Sequence, residues 1–585
     1  MGLFQKAIET YDAMESLAGK SIVDKETLAP IGHMITTASI EITVDADGNF
    51  VRAQKIDKKI PIPCTEESAG RSSAPAAHPL CDNLTYVGEI DENKHNVYLE
   101  EVCAWTESEY GNPKLDVIYK YLLRNHVLTD LKKAEVIELD DKGKLKEEKA
   151  LVTWRVEGLG AESGAVYEDQ QLMHDFFEFY MQKRNPKKGL CMASGEEDCL
   201  AVQHLKGVSN FSGNAKLISS NDTSNFTYRG RFLNSDEALT VGYVSSQKAH
   251  NALKWLLSNY GIGLGDRRLV AWNPKGKEIP KVNLPLLEIS NNKVVPSDYK
   301  EQLKKVLNGY KETLPSNDSV VIAAFEAATS GRLSVTYYNE LQGSDFLDRL
   351  YDWDMTCCWY DNRWGTGSPL LFQIISFAFG TQRENGKVEC DNKILSQQMQ
   401  RLISCRVDRT LFPRDILRNL IIKSSNIRIY SKENADKLLF TTCAVIKKCK
   451  HDYLKEEWEM ALDETSADRS YLFGRLLAVL EMIEKKAIGD EERETNAIRI
   501  QAFFCQRPLT AFSQIMTNLK TSYYPRLGSG IKVYYEKLIG EIMDKISLSP
   551  EDEIDKPLAE TYLLGYYLQK NAFYTKKETK ESEEE

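Results

Sequence analysis

The sequence predicts an α+β fold, with a mixed α/β N-terminal region that contains long loops, followed by an all-α C-terminal helical bundle. In the first part of the chain, short period-two strand patterns alternate with helices and loops. After about residue 400, apolar residues instead recur at intervals of three and four almost throughout. We therefore expect a mixed region over residues 1–395, a helical bundle over residues 396–574 and a disordered charged tail over residues 575–585.

The N-terminal region opens with a strand and a hairpin turn. Ile40, Ile42 and Val44 alternate at period two, and Asp47-Gly48 supplies the positive φ of a tight turn. From Pro61 to Pro79 the composition changes to Ser, Ala, Pro and Gly, which predicts an exposed loop. Further elements are predicted along this region: a strand at Asn83 to Val87, a strand at Leu151 to Val156, and helices at Val166 to Gln182 and Ser246 to Ser258.

Five amphipathic segments with short connections predict the C-terminal bundle. In one of them, Leu472, Leu476, Leu480 and Ile483 recur at helical spacing, which indicates one buried face. The five segments are Asp436 to Lys448, Tyr471 to Ala487, Ala497 to Cys505, Ile531 to Ile546 and Leu558 to Tyr567.

The composition excludes several classes of protein. The chain has 585 residues, 42% apolar and 28% charged, as in ordinary globular proteins and unlike disordered, collagen-like or disulfide-framework chains. Its formal charge of −11 has the wrong sign for coating nucleic acid by charge alone, so any such contact must be local. No apolar stretch approaches the roughly 20 residues of a membrane span, and the opening residues lack a signal-peptide apolar region. We expect a cytoplasmic protein with reduced cysteines and no membrane contact.

No sequence motif indicates a catalytic site or a cofactor. Gly158 to Gly164 has the wrong spacing for a dinucleotide loop. The pair His174-Asp175, with His126 and Asp198, could complete the ligand set of a metal-dependent phosphohydrolase. A half-exposed His and a solvated Asp on an amphipathic helix explain the pair more simply. We expect no enzymatic activity, no cofactor and no metal.

The strongest electrostatic feature is a basic segment from Met399 to Lys432. Its eight basic residues exceed its two acidic residues by six charges, although the whole chain is acidic. A helix from Leu411 to Ile422, capped by Thr410, would place arginines on one face, where they suit phosphate oxygens. A simple solvated face, or salt bridges to acidic neighbouring helices, are the alternatives. The candidate contacts to the DNA backbone are Arg401, Arg406, Arg409, Arg414, Arg418, Lys423 and Arg428.

Several strings resemble one known family over nearly the whole chain. Tyr471 to Glu481, with the sequence YLFGRLLAVLE, and Leu564 to Gln569, LGYYLQ, are similar to that family's most recognisable helix and its closing motif. Arg71-Ser72-Ser73 leading to Asp82 to Tyr86, and Cys191 to Gly207 with Gly195 and His204, are further matches. The chain resembles the large subunit of the type I-C CRISPR surveillance complex, Cascade. An Asn-Ala-Pro tripeptide usual in the family is absent here.

The resemblance implies a non-catalytic protein that recognises the protospacer-adjacent motif in double-stranded DNA and helps to hold the displaced strand. The partners that it implies are CRISPR RNA, the Cascade backbone and crRNA-processing subunits, and a helicase-nuclease recruited for cleavage. Small subunits would be made from an internal start, for which we expect Met460 or a nearby codon.

The expected motif reader is the loop that contains Arg71, Ser72 and Ser73, with Gly32-His33 and Asn83 as weaker candidates. Arginine can contact a guanine edge or a phosphate, and the short serine hydroxyls permit close approach. Glycine lets backbone amides come near a base edge. Two other classes stay open: the phosphohydrolase built on His174-Asp175, and a purely structural scaffold without motif-dependent affinity for DNA.

Overall fold

The computed structural model describes residues 2–71, 74–141, 144–160, 164–184, 186–209, 213–219, 239–288, 293–489 and 493–581. The chain divides into two units. The first comprises Met1–Lys277 and Ser319–Glu340, and the second comprises Glu278–Asp318 and Leu341–Glu585. The predicted boundary near residue 395 stays a prediction.

The predicted N-terminal hairpin is confirmed and is longer than its sequence pattern indicates. Strand β1 (His33–Val44) pairs antiparallel with β2 (Phe50–Pro63), and Gly48 has a φ of 76° in the turn between them. β1 also pairs in parallel with β3 (Val152–Val156) and is therefore the central strand of a three-stranded sheet. Ile40, Ile42 and Val44 are buried in its core.

Helices cover this sheet and form the rest of the first core. The predicted helices at 166–182 and 246–258 are confirmed with slightly different ends. The helices of the first unit are α1 (Leu3–Met14), α2 (Glu66–Gly70), α3 (Leu84–Val87), α4 (Glu92–Thr106), α5 (Pro113–Leu122), α6 (Val127–Lys133), α7 (Gln170–Lys183) and α8 (Tyr243–Tyr260).

A second sheet in the first unit supports the pair formed by α1 and α8. Ala7 and Tyr11 of α1 and Leu253 of α8 share one core with Val270 and Val321 of this sheet. The remaining strands of the unit are β4 (Lys188–Leu190), β5 (Glu197–Cys199), β6 (Ile262–Leu264), β7 (Arg267–Trp272), β8 (Ser319–Thr329) and β9 (Arg332–Gln342). The strand order of the second sheet is β6-β7-β8-β9.

Two predictions for this unit were wrong. The segment from Pro61 to Pro79 is not an exposed loop: among its described residues it completes β2, forms α2 and buries most of its side chains. Glu66 of this segment is buried because it has a charged partner far away in the sequence, Arg184. Asn83 to Val87 is not a strand, because Asn83 caps the short helix α3.

The second unit is mainly helical. Its elements are α9 (Pro296–Thr313), α10 (Gly343–Thr356), β10 (Trp359–Asp361), β11 (Gly365–Gly367), α11 (Leu371–Phe379), β12 (Thr381–Gln382), β13 (Val388–Glu389), α12 (Asn392–Asp408), α13 (Arg414–Ser424), α14 (Lys432–Leu454), α15 (Arg469–Ile488), α16 (Asn496–Arg499), α17 (Gln501–Gln506), α18 (Pro508–Asn518), α19 (Ser529–Ile546) and α20 (Thr561–Glu581). The α+β fold class is confirmed.

The central helix of the second unit is α15, and its burial differs from the prediction. The sequence pattern indicates one buried face, but every side chain from Ser470 to Glu484 is buried. The polar members Arg475 and Glu481 bond to Gln569 and Tyr566 of α20, and this gives their buried polar atoms partners. The apolar pattern therefore predicted burial of one face, whereas this stretch of the helix is buried on all sides.

The helix predicted at Leu411 to Ile422 begins three residues later. Thr410 does not cap it, since Pro413 takes the position before the first turn of α13. All twelve cysteines are free thiols. Among the described helices, none combines the length and apolar character that crossing a bilayer requires.

Candidate nucleic-acid interface

Arg71 is held by a buried carboxylate. Its two terminal nitrogens bond to Asp82 at 2.6 and 2.8 Å, and one of them also donates to the carbonyl oxygen of Ala76 at 2.9 Å. The guanidinium lies 4.6 Å from the ring centre of Tyr86. Burial lowers the pKa of Arg71, but the hydrogen bonds to Asp82 outweigh it and the net shift is upward. Arg71 therefore fixes the segment after α2, and 22% of its side chain stays exposed.

Asp82 links Arg71 to another predicted residue, Asn83. Asp82 is fully buried and also accepts hydrogen bonds from the backbone N–H groups of His78 and Asn83, each at 2.7 Å. The side chain of Asn83 accepts from the N–H of Thr85 at 3.1 Å. Arg71 and Asn83 are thus brought together through one carboxylate. Ser72 and Ser73 lie outside the described residues.

Gly32 and His33 lie at the start of β1. Gly32 has a φ of 75°, a value that favours glycine. His33 is buried, and its Nδ1 donates to the carbonyl oxygen of Ile31 at 3.0 Å. Burial lowers the pKa of His33 to about 4, so that its ring is neutral at pH 7. Its Nε2 has no partner among the described residues.

His33 lines a cavity of about 320 Å³ in the first unit, which we call the histidine–lysine cavity. Its wall combines apolar, histidine and lysine side chains. A second, smaller cavity of about 20 Å³ shares His33, Leu205 and Lys206 with it and extends to Gly70, the residue before Arg71. The lining of the larger cavity includes Glu26, Ala29, His33, Met34, Ile35, Lys59, Leu205, Lys206, Val208, His250, Asn251, Lys254 and Trp255.

His250 repeats the arrangement of His33. Its Nδ1 donates to the carbonyl oxygen of Ser246 at 2.7 Å, and its Nε2 has no partner among the described residues. Burial lowers the pKa of His250 to about 4. His204 stacks on this ring at 5.7 Å and bonds to the hydroxyl of Ser246 at 2.8 Å. Burial, and then His250, lower the pKa of His204 to about 3.

The lysines around the two cavities differ in their partners. Lys59 pairs with Glu26. Lys206, Lys216 and Lys254 form no ion pair in the part of the chain that the structure describes. Burial lowers the pKa of Lys254, and burial followed by the charge of Lys206 lowers the pKa of Lys216. Sequence reasoning missed these lysines and His250, because only the fold brings them together.

Within the second unit, several candidates from the basic segment are occupied by other protein groups. Arg401 makes a bidentate pair with Asp415 at 2.8 and 2.7 Å. Arg409 pairs with Asp352 at 2.6 Å. Lys423 donates to the carbonyl oxygen of Gly380. These interactions favour the salt-bridge alternative for this part of the segment.

Arg406 is buried and does not reach the surface. It lies 3.2 Å from Asp354 and also donates to the carbonyl oxygen of Val282. Burial lowers the pKa of Arg406, although the charge of Asp354 opposes this shift. A DNA phosphate therefore has no access to this side chain in the folded unit.

The remaining three candidates are exposed. Arg414 and Arg418 project from α13, and Arg428 follows it. The Arg414 guanidinium lies 4.1 Å from the ring centre of Tyr453. Arg418 and Arg428 have no acidic partner among the described residues. These three form the exposed arginine set of the second unit.

A family model described as CRISPR-associated protein (Cas_Csd1) matches residues 8–574. The chain belongs to this family. The comparison with curated proteins found no match. The two strings that carry the resemblance lie on α15 and α20 of this Csd1-family chain. The backbones of these two helices approach each other closely at Gly474 and Gly565.

The alternative site at His174-Asp175 lies on α7. His174 is 61% exposed, and Asp175 accepts hydrogen bonds from Asn112 and Gln171. Within the described ranges, no group of three or more His, Cys, Asp or Glu side chains is arranged to hold a metal ion. The absence of an enzymatic activity in this Csd1-family chain stays a prediction.

Proposed function

We propose that the protein is the non-catalytic large subunit of a type I-C CRISPR interference complex. It recognises the protospacer-adjacent motif in double-stranded DNA and stabilises the R-loop for a recruited helicase-nuclease. The observation that carries the proposal is the family match over residues 8–574. In such complexes the guide RNA reads the target sequence, and the protein needs to read only a short adjacent motif. The locally basic surfaces of an otherwise acidic chain support this division of labour.

Motif recognition is tested with the assembled complex. Its binding to DNA targets with correct and altered adjacent motifs is measured for the double variant Ser72→Ala, Ser73→Ala and for Arg71→Ala. Arg71 holds its own segment through Asp82, so its removal displaces the loop as well as removing a charge. The serine variant removes only two hydroxyls. Discrimination at the wild-type level in both variants would exclude this loop as the reader.

The partners in the proposal are CRISPR RNA, the Cascade backbone and crRNA-processing subunits, the helicase-nuclease, and small subunits translated from an internal start near Met460. Met460 lies in the connection between α14 and α15. A start there keeps α15 and α20 in one product. Mass spectrometry of the purified complex should show a fragment that runs from about Met460 to the C-terminus. Absence of such a fragment would contradict the internal start.

The non-catalytic role is tested on the isolated chain. We expect no specific nuclease activity with divalent metal ions. Cleavage that His174→Ala abolishes would favour the phosphohydrolase alternative. Equal affinity of the assembled complex for targets with correct and altered motifs would favour a purely structural scaffold.

A further inference from the structure

The histidine–lysine cavity combines three properties that fit one kind of ligand. Its volume of about 320 Å³ lies within the range of ligand-binding pockets. Met34, Leu205 and Trp255 give it an apolar wall, and Lys206 and Lys254 give it positive charge. An apolar wall suits a flat base, and unpaired lysines suit a phosphate.

We propose that the histidine–lysine cavity binds one nucleotide, with its base against the apolar wall and its phosphate on Lys206 and Lys254. One possible source of the nucleotide rests on the proposed function, because a nucleic-acid strand bound by this subunit would place one of its nucleotides in the cavity. The other possible source is a free nucleotide. The shared chemistry is a base joined through its sugar to a phosphate.

The lysines supply the electrostatic reason for the proposal. Lys254 is half-buried on α8 and forms no ion pair with an acidic side chain among the described residues, so burial removes part of its hydration. Burial lowers the pKa of Lys254, although the charge of Glu26 opposes this shift. Glu26, the acidic residue of the wall, is already paired with Lys59. A bound phosphate would supply the missing counter-charge.

The histidines supply a reason for selectivity among bases. In His33 and His250, Nδ1 donates to a backbone carbonyl, so each neutral ring keeps Nε2 as an acceptor. Both Nε2 atoms are buried and lack a partner among the described residues, and the proposal assigns them to the base. The exocyclic amino groups of adenine and cytosine are donors, whereas thymine offers a carbonyl oxygen at the corresponding position. The cavity should therefore prefer adenine and cytosine nucleotides to thymine nucleotides.

Calorimetry with the full chain tests the proposal. The probes are dAMP, dCMP, dTMP, inorganic phosphate, and ten-nucleotide strands of dA and dT. Lys254→Gln should weaken the binding of dAMP about tenfold, the value of one charge-assisted hydrogen bond. Because this change removes a half-buried charge that forms no ion pair among the described residues, the thermal unfolding midpoint should not fall. Leu205→Trp should also block binding, because a larger side chain would fill the cavity.

The matched control is Lys248→Gln. Lys248 is on the same helix, pairs with Asp12 and does not line the cavity. It changes the net charge by the same amount and should leave the binding of dAMP unchanged. An equal reduction in both lysine variants would assign the effect to general charge and overturn the proposal.

Four further outcomes decide the matter. Inorganic phosphate that binds as tightly as dAMP would overturn the nucleotide site. dTMP that binds as tightly as dAMP would overturn the selectivity among bases. Tighter binding of the dA strand than of dAMP, abolished in Lys254→Gln, would identify a nucleotide within a strand as the ligand. Equal affinity for both would identify the free nucleotide. If these tests fail while the assembled complex still discriminates between adjacent motifs, the cavity proposal alone is wrong and the proposed function stands.

Discussion

Gly474 of α15 and Gly565 of α20 lie at the closest approach of the two helices. A Cβ on Gly474 would collide with the carbonyl oxygen of Tyr562, and a Cβ on Gly565 would collide with the carbonyl oxygen of Tyr471. Neither obstacle can move easily, because both are backbone atoms within or beside a helix. Both glycines belong to the strings that carry the family resemblance. The close packing of α15 on α20 therefore explains why each of those strings contains a glycine at this position.

We predict that Gly474→Ala and Gly565→Ala each lower the free energy of unfolding by about 3 kcal/mol or more, because each forces two backbones apart. Urea denaturation of the full chain measures the change. Gly540→Ala on α19 is the control, since a Cβ there meets no atom within 4 Å. It should instead stabilise the helix by about 0.5–1 kcal/mol. Equal effects at all three positions would contradict this account.

The sequence predicted elements best where burial follows one periodic pattern. The hairpin around Gly48 and the helix at 246–258 are examples, because neighbouring residues alone define their apolar faces. Burial that depends on distant polar partners was missed. Glu66 lies in a segment poor in large apolar residues, yet Arg184 compensates its charge inside the fold.

The candidate site shows the same limit. The sequence identified the arginines of the basic segment, but it could not separate Arg406, which is buried on Asp354, from Arg418, which is exposed. Their local sequences carry the same charge. Only the position of Asp354, many residues earlier in the chain, distinguishes them.

Glu481 predicts a pH dependence of the second unit. Burial alone would raise the pKa of Glu481, but Lys570 and Lys485 outweigh it and lower the pKa to about 2. The ordinary value is 4.5, so this carboxylate stabilises the fold by about 3 kcal/mol above pH 4.5, and this stabilisation disappears as the pH falls toward 2. Glu481→Gln should therefore be less stable than wild type at pH 6, with the difference shrinking as the pH falls to about 2.5. Urea denaturation at both values is the test, and a constant difference would refute it.

Arg71 and Asp82 predict a local stability effect in the first unit. Arg71→Ala leaves a fully buried carboxylate without its charged partner, so we expect a destabilisation of about 3 kcal/mol. Arg52→Ala is the control, because Arg52 and its partner Glu157 are both about half exposed. It should cost less than about 1 kcal/mol. Thermal and urea unfolding compare the two variants. Equal effects would show that the buried Arg71–Asp82 pair contributes no more to stability than the exposed pair.

The exposed arginine set predicts how DNA binding depends on salt. Because Arg418 and Arg428 lack acidic partners among the described residues, each is available to a phosphate. The double variant Arg418→Gln, Arg428→Gln should flatten the plot of log affinity against log salt by about 0.7–0.9 for each phosphate that is no longer neutralised, and equally for different target sequences. Arg401→Gln with Arg409→Gln removes the same charge from arginines that are already paired, so the slope should stay unchanged. Titration of the assembled complex at several salt concentrations measures both slopes. An unchanged slope in the Arg418, Arg428 variant, or a slope that flattens only in the paired-arginine control, would contradict this prediction.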